Sequence, residues 1–467
     1  MARTRPMVKF CVYVMAFMGA VSVEEVEAAP VQALIIGGGV AGLRAALDLA
    51  TKGHRVTLLE GRDRLGGRIA SQNTAAGPLE TGAQWLHGKN NPIYTLFQQK
   101  GWTLLPSDAE SSLEYEAISE TEAKMPPLAE ELAWDGEFEG LEDLIGDSQD
   151  GPDGRGLSWA VKRYKSQEGL DSRERLGLDM LVDSAYAQEY GADIDSLSLN
   201  WFDDGADETG GDMIPAAGFG ATLIEDLKAQ ITAKNVTVVL GAFVEEVEYS
   251  EEEGVKVLTA AGAAYAADYA VVTLPLGVLQ AKAVRFYPRL PREKAQAISR
   301  LGMGTLNKVM LEFPAGARWP GVNWVSRIPL RSDKGRWREF FMLRNISGRH
   351  VIVAFNAGKS ARYPASTSDT SLVAGALSAL RAMFGPTNIP DPTASVVTRW
   401  HSDPFSLGSY SYYKKGCTGV ERANLAKPVG KLLYWAGEAT DTKHAATVHG
   451  AYAAGGAAAA QAAADHK

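Results

Sequence analysis

Gly37, Gly39 and Gly42 stand in the order G-x-G-x-x-G within VQALIIGGGVAGLRAALDLATKGHRVTLLE, and Glu60 closes the next apolar run roughly 20 residues on. The first glycine permits a tight turn, the second lets backbone approach a pyrophosphate, and the third lets a helix pack closely on a strand. A carboxylate at Glu60 is placed to accept hydrogen bonds from a ribose. This is the chemistry of dinucleotide binding. GRDRLGGR follows directly, and an arginine-bearing glycine turn after the acidic strand end serves FAD rather than a nicotinamide cofactor. Arg68 would neutralise pyrophosphate with its planar fork, and Arg62 would lie toward the adenosine.

A second residue with chemical potential is Lys308 in LNKVMLEF, a lysine inside what otherwise reads as a β-strand. Burying an unpaired ammonium is costly, and Lys is among the side chains least often fully buried. Alternation sets Val309, Leu311 and Phe313 on one face and Lys308, Met310 and Glu312 on the other. On pattern alone the strand is half-exposed with a solvated lysine.

The elements that must position these groups are legible nearby. Ala33 to Ile36 suits a buried parallel strand, Ala41 to Thr51 has helical composition ended by Gly53, and His54 to Glu60 is the second strand. KNVTVVLGAFVEEVEYS and GVKVLTAAGAAYAADYAVVTL read as short strands separated by turn residues. The Ala-rich tail reads as a closely packed helix, since Ala has the highest helix propensity.

At 467 residues, two domains or one interleaved pair are expected. A formal net charge of −9 argues against nucleic acid as a partner and favours cationic small molecules. Between Asp108 and Asp153 there are sixteen Asp and Glu and one basic residue, Lys124. A solvated, mobile surface loop or helix pair is expected there, with steering of a polycationic substrate as the sharper alternative. Residues 1–29 read as a targeting segment: Arg3, Arg5 and Lys9 precede an apolar run from Phe10 to Val23, and Val26-Glu27-Ala28 offers small residues for a signal peptidase. That run is short for a membrane span, so export with cleavage near Ala28 or Ala29 is expected, with an anchor or organellar presequence as the alternative. Of two cysteines, Cys11 lies in this segment, so cleavage leaves Cys417 alone and no internal disulfide.

The glycine turn is accompanied by ETGAQWLHG at 80–88, DMIPAAGFGATLIEDL at 212–227, VVTLPLGVL at 271–279, LNKV at 306–309, RWHSDPFSLGSYSYY at 399–413, YWAGEAT at 434–440 and TVHGAY at 447–452. Jointly these resemble the flavin-containing amine oxidase family, in particular the polyamine oxidases and the catalytic core of the lysine-specific histone demethylases. The stretch from about Trp102 to Asp193 matches no part of that pattern.

The resemblance implies an α/β chain of the amine oxidase fold. A Rossmann-like FAD-binding domain (residues 30–100, 212–282 and 396–467) would be interleaved with a mixed-sheet-plus-helices substrate domain (101–211 and 283–395). It implies that Lys308 lies near flavin N5 and holds a water, which would account for an inward-facing lysine. Glu438 would bind the ribityl or phosphate region, Val244 would meet adenine through its backbone, and Trp85 and Trp400 would pack around the flavin. Thr447 would cap the last helix, with Val448 in its first turn, so that the helix N-terminus favours negative charge on the reduced flavin. Tyr410 would form one aromatic wall of the substrate position and His87 would meet an amine, while Thr447 and Leu306 stand where some relatives carry rings. Ser409 falls near where mitochondrial monoamine oxidases attach flavin through cysteine, so FAD is expected to be noncovalent. No metal is expected, and the oligomeric state is left open. The implied reaction is oxidation of a polyamine with oxygen as acceptor, giving an aldehyde, a smaller amine and hydrogen peroxide. An L-amino acid or monoamine oxidase is the alternative enzyme, and a non-catalytic flavin-binding scaffold the alternative of another class.

Overall fold

In the computed structural model, residues 30–107, 111–206, 208–333 and 335–467 are described, and Val31–Lys467 form one unit. The targeting segment, 1–29, lies outside the described residues, as do 108–110 at the start of the acidic stretch. The strand, turn and helix expected from the glycine motif are β1 (Gln32–Ile36) and α1 (Val40–Thr51), followed by β2 (Arg55–Leu59). β1 pairs in parallel with β2 on one side and with Tyr269–Val272 on the other. Leu433–Trp435 and Thr237–Val239 complete a five-stranded parallel sheet. Strands of Val, Ile and Leu buried on both faces are the expected sequence of such a sheet.

The Ala-rich tail is the helix Val448–Asp465, laid along α1. A β-carbon at Gly455 would come within 2.3 Å of Ala41 O, so the glycine is what lets the two helices touch at that point. This contact holds the C-terminal helix over the glycine turn.

A seven-stranded sheet stands apart from the parallel one, in the order 394–397, 306–312, 351–357, 339–342, 324–328, 112–117 and 123–124. Leu306–Glu312 is interior, paired antiparallel with Val351–Ala357 and with Ala394–Val397. The half-exposed strand expected from alternation is therefore not what forms. Val309, Leu311 and Phe313 pack under the helix Asp369–Phe384, and the other face is covered too, leaving Lys308 and Glu312 buried.

The acidic stretch is built into structure rather than left as a loop where it is described. Ser112–Ala117 is a strand of the large sheet, and Leu128–Ser148 is a helix anchored through Trp134, Leu141 and Ile145. Arg173 ties the two together by ion pairs to Glu116 (2.7 Å) and Glu130 (2.6 Å).

Candidate active site

A cavity of about 910 Å³ runs from the glycine turn to the large sheet. At one end Gly37 adopts φ +111°, where a side chain is strained, and a β-carbon at Gly42 would fall 1.9 Å from Gly37 O. Gly39 differs: a β-carbon there meets nothing within 4 Å among the described residues, yet the residue lines the cavity. Its bare backbone therefore leaves open space at the N-terminus of α1, of the kind a pyrophosphate would need. Glu60, buried at the end of β2, is held by Gly38 N–H (2.6 Å) and Arg62 N–H (2.8 Å), which fix its carboxylate on the cavity wall. Arg62 spends its fork on Asp403 (2.9 and 2.8 Å) and Ser406 Oγ (2.9 Å), over the Phe405 ring. It borders the cavity as a clamp on that loop. Val244 opens its strand on the same wall.

In the middle of the cavity, two residues expected to meet the cofactor separately meet each other. Arg68 Nη1 donates to Glu438 Oε1 at 2.7 Å and to Ser409 O at 2.9 Å. Glu438 Oε2 accepts from Ser411 Oγ (2.5 Å) and Ala446 N–H (3.1 Å). Burial pushes this carboxyl up, but Arg68, Ser411 and Arg422 outweigh it and hold Glu438 below its ordinary value. The buried carboxylate is thus paired on both oxygens, and pair and serine line the cavity together. Thr447 caps the last helix: its Oγ1 accepts from Gly450 N–H (2.9 Å) and donates to His444 O (2.8 Å). Val448, in the first turn, lines the cavity, so the positive end of the helix is directed at it.

The far end holds Lys308, only 4% exposed. Its Nζ donates to Glu80 O (2.9 Å), Gly82 O (2.8 Å) and Gln84 Oε1 (2.8 Å), and lies 5.5 Å from the centre of the Trp85 ring. Three acceptors match the three donors of an ammonium. Burial nevertheless pushes the Lys308 pKa down to about 7, against the pull of Glu80. Trp85 stacks on Trp324 (5.8 Å between ring centres) and tilts against Phe341 and Phe355. Trp400 donates through Nε1 to Thr81 O at 2.9 Å. Both indoles sit at the cavity wall.

Tyr410 lines the same end and donates to Gln188 O at 3.1 Å. Burial raises its phenol well above the ordinary value, with Glu189 and Glu339 adding to the rise. His87 Nδ1 lies 3.0 Å from Asp212 Oδ2. Burial lowers this imidazole, but Asp212 reverses the sign and leaves it above its ordinary pKa.

The sequence reading missed the carboxyls of this end: Glu114, Glu189 and Glu339 all line the cavity. Burial raises each, Glu114 and Glu339 to about 7. Glu189 follows a π-helical turn, Asp183–Gln188, in the stretch that fitted no motif. π-Turns recur at functional sites, but a turn of this kind has no pattern that periodicity detects.

These walls satisfy the needs of FAD: bare glycine backbone and a fixed carboxylate at one end, a helix N-terminus in the middle and two indoles at the other end. Residues 40–463 match the family model for flavin containing amine oxidoreductase.

The chain belongs to that family.

The amine oxidase is 32% identical over 454 residues to polyamine oxidase 4 of Oryza sativa subsp. japonica, covering 94% of this chain and 90% of that one. It is 30% identical over 452 residues to lysine-specific histone demethylase 1 homolog 2 of Arabidopsis thaliana, covering 90% of this chain but only 57% of that longer protein. Among solved structures, putrescine oxidase bound to putrescine superposes with a TM-score of 0.72 at 19% identity, over 93% of this chain and 99% of that chain, which shows the shared fold. The protein is an FAD-dependent amine oxidase. Ser409 stands with its Oγ bonded to Leu306 N–H and Leu306 O, both at 2.9 Å. Cys417 is buried outside the cavity wall, with Sγ on Arg300 O.

Proposed function

We propose that this amine oxidase acts on polyamines, with FAD bound noncovalently and oxygen as the final acceptor. The observation that carries the reading is the trio Glu114, Glu189 and Glu339 on the wall of the cavity that also holds Tyr410 and Lys308. Carboxyls with raised pKa values in a partly apolar cavity gain most from a cation, because a neighbouring ammonium restores their charged form. A monoamine offers one ammonium, which must be neutral to react; a polyamine offers others that stay charged. Several acids along one cavity suit the second kind of substrate.

FAD, when bound, would supply the acceptor for a hydride equivalent from the carbon beside the reacting nitrogen. The chain's own residues orient and adjust protons around that event. Glu189 and Glu339 hold distal ammonium groups, and the ring of Tyr410 walls the reacting carbon. Lys308 as an ammonium spends all three donors on Glu80 O, Gly82 O and Gln84 Oε1; as an amine it has a lone pair with which to accept from a water. A pKa of about 7 makes both forms accessible. Hydrolysis of the imine then yields an aldehyde and a smaller amine, and reoxidation by oxygen yields hydrogen peroxide. No cysteine is on the described cavity wall, which supports a flavin free of a thioether link.

The test is anaerobic mixing of the purified protein with spermine, spermidine, their acetylated forms, a monoamine, an amino acid and a methylated-lysine peptide, following flavin absorbance and identifying products. Rapid bleaching by a polyamine supports the reading, and the products give the side of nitrogen that is oxidised. Bleaching only by the monoamine, amino acid or peptide overturns the substrate class. For compartment, the proposal is export with removal of residues 1–29. Among the described residues no helix is long and apolar enough to cross a membrane. N-terminal sequencing of the natural protein checks the cleavage, and an intact Met1 end refutes it.

A further inference from the structure

Beside the substrate end of the cavity, outside the groups used above, three side chains converge. Glu208 Oε1 lies 2.8 Å from His444 Nδ1 and 2.7 Å from His449 Nε2. One candidate ligand atom from each residue can be chosen so that all three lie within 4.8 Å of one another. The two rings stand edge to face, 4.8 Å between centres. His449 is fully buried, and Glu208 and His444 lie on the cavity wall.

A hydrogen-bonded trio accounts for one carboxylate oxygen only. Glu208 Oε2 is buried and has no hydrogen-bond partner among the described residues. A buried carboxylate oxygen without a donor is costly, and a cation is what relieves it.

The backbone holds the three residues in place without help from their side chains. Ala206 N–H donates to Lys443 O (2.8 Å), joining the Glu208 loop to the His444 loop. Lys89 N–H donates to Thr209 O (2.7 Å) on the other side of Glu208. Asp441 Oδ1 accepts from His444 N–H (2.7 Å), and His449 is fixed by the first turn of the last helix.

We infer that Glu208, His444 and His449 form a binding site for a divalent late transition-metal ion, Zn²⁺ being the fitting class. Two imidazoles and one carboxylate make a borderline-soft N₂O set suited to zinc, and three protein ligands leave a position open to water or solute. Ligand atoms about 2.0–2.1 Å from a tetrahedral zinc stand about 3.3 Å apart. For an ion to replace the two hydrogen bonds, the oxygen would draw back from each ring nitrogen by about half an ångström, and the ring nitrogens, up to 4.8 Å apart, would close toward the same spacing. On binding, the proton that each neutral ring directs at Glu208 moves to that ring's other nitrogen, freeing the lone pair for the ion, and no redox step is involved. The sequence reading expected no metal because the ligands are spread from 208 to 449 and only the last two lie close together in the chain. Since Glu208 and His444 border the cavity, a bound ion would add positive charge to its wall.

The experiment uses flavin-loaded enzyme stripped with chelator and desalted. Zn²⁺ is titrated against a chromophoric chelator, with X-ray absorption at the zinc edge. One equivalent per chain is expected, in a shell of nitrogen and oxygen at about 2.0–2.1 Å without sulfur. Glu208→Gln and His444→Ala should each weaken uptake at least tenfold while flavin absorbance and melting stay those of the parent. Should His444→Ala fail to fold, His444→Asn serves in its place. Absence of stoichiometric uptake, a sulfur shell, or equal uptake by parent and folded variants overturns the site and leaves a hydrogen-bonded trio.

Discussion

Among the described residues two lysines are buried, and they resemble each other in almost every local respect. Lys308 is 4% exposed and Lys294 is 2% exposed. Lys308 donates to two main-chain carbonyls and a side-chain amide, and Lys294 to the carbonyls of Leu425 and Lys427. Each lies over an indole, Trp85 at 5.5 Å and Trp435 at 4.6 Å. Burial pushes both to about 7. What separates them is location: Lys308 lines the large cavity and Lys294 does not, packing instead between the helices Arg292–Arg300 and Glu421–Ala426. A perturbed pKa therefore marks burial with incomplete compensation, and only the neighbouring space decides whether the proton has chemistry to do.

The sharpest way to break that contrast is to neutralise each lysine in turn. Lys308→Met should retain FAD but slow flavin reduction or reoxidation by about 10²-fold or more, as loss of a proton-transfer group does. Stopped-flow traces of the two half-reactions measure this, and unchanged rates in both would place Lys308 beside Lys294 as a structural residue. Next in size, Glu189→Gln and Glu339→Gln should raise the KM for spermine roughly tenfold, with a smaller change for a monoamine; a charged hydrogen-bonded pair is worth ~1.5–3 kcal/mol. In the parent, binding of the polyamine should weaken as pH falls through about 7, where Glu339 and Glu114 take up protons. A pH-independent affinity would detach these acids from substrate binding.

A smaller effect sharpens the other side. Lys294→Met leaves the carbonyls of Leu425 and Lys427 without their donor and should lower stability by about 1–3 kcal/mol, with both half-reactions within twofold of the parent. Denaturant titration reads the first and stopped-flow the second. Smallest is a slope. Each lysine has a folded pKa of about 7, below the ordinary value near 10.4, so between those limits the unfolded chain binds more protons. Stability attributable to each lysine rises with pH across that window and is flat below it. Either Met variant should reduce the slope of unfolding free energy against pH between about 7 and 10 by up to one proton's worth, and equal slopes in parent and variants would refute the depressed values.

Legibility in the sequence followed the reach of the constraint. Gly37, Gly39 and Gly42 were readable because backbone geometry over six residues demands them, and Thr447 because a cap acts three residues ahead. Lys308 was misjudged by alternation, since its cover comes from Phe355 across the sheet and from carbonyls at 80–84, both far away in sequence. Arg68 and Glu438 were each identified, but their pairing over 370 positions was not. Glu114, Glu189 and Glu339 come from a strand, the position just after a π-turn, and another strand; nothing local distinguishes them from the many other acids of this chain.

The parallel sheet also sets a schedule. Its outer strand, Leu433–Trp435, and the helix that lies across α1, Val448–Asp465, leave the ribosome long after β1, α1 and β2. The helix that covers α1, and the strand that flanks the sheet beyond Tyr269–Val272, are therefore added well after β1, α1 and β2 have been made. A nascent chain arrested before residue 430 would hold the nucleotide turn without Glu438, Thr447 and Val448, which line the cavity wall.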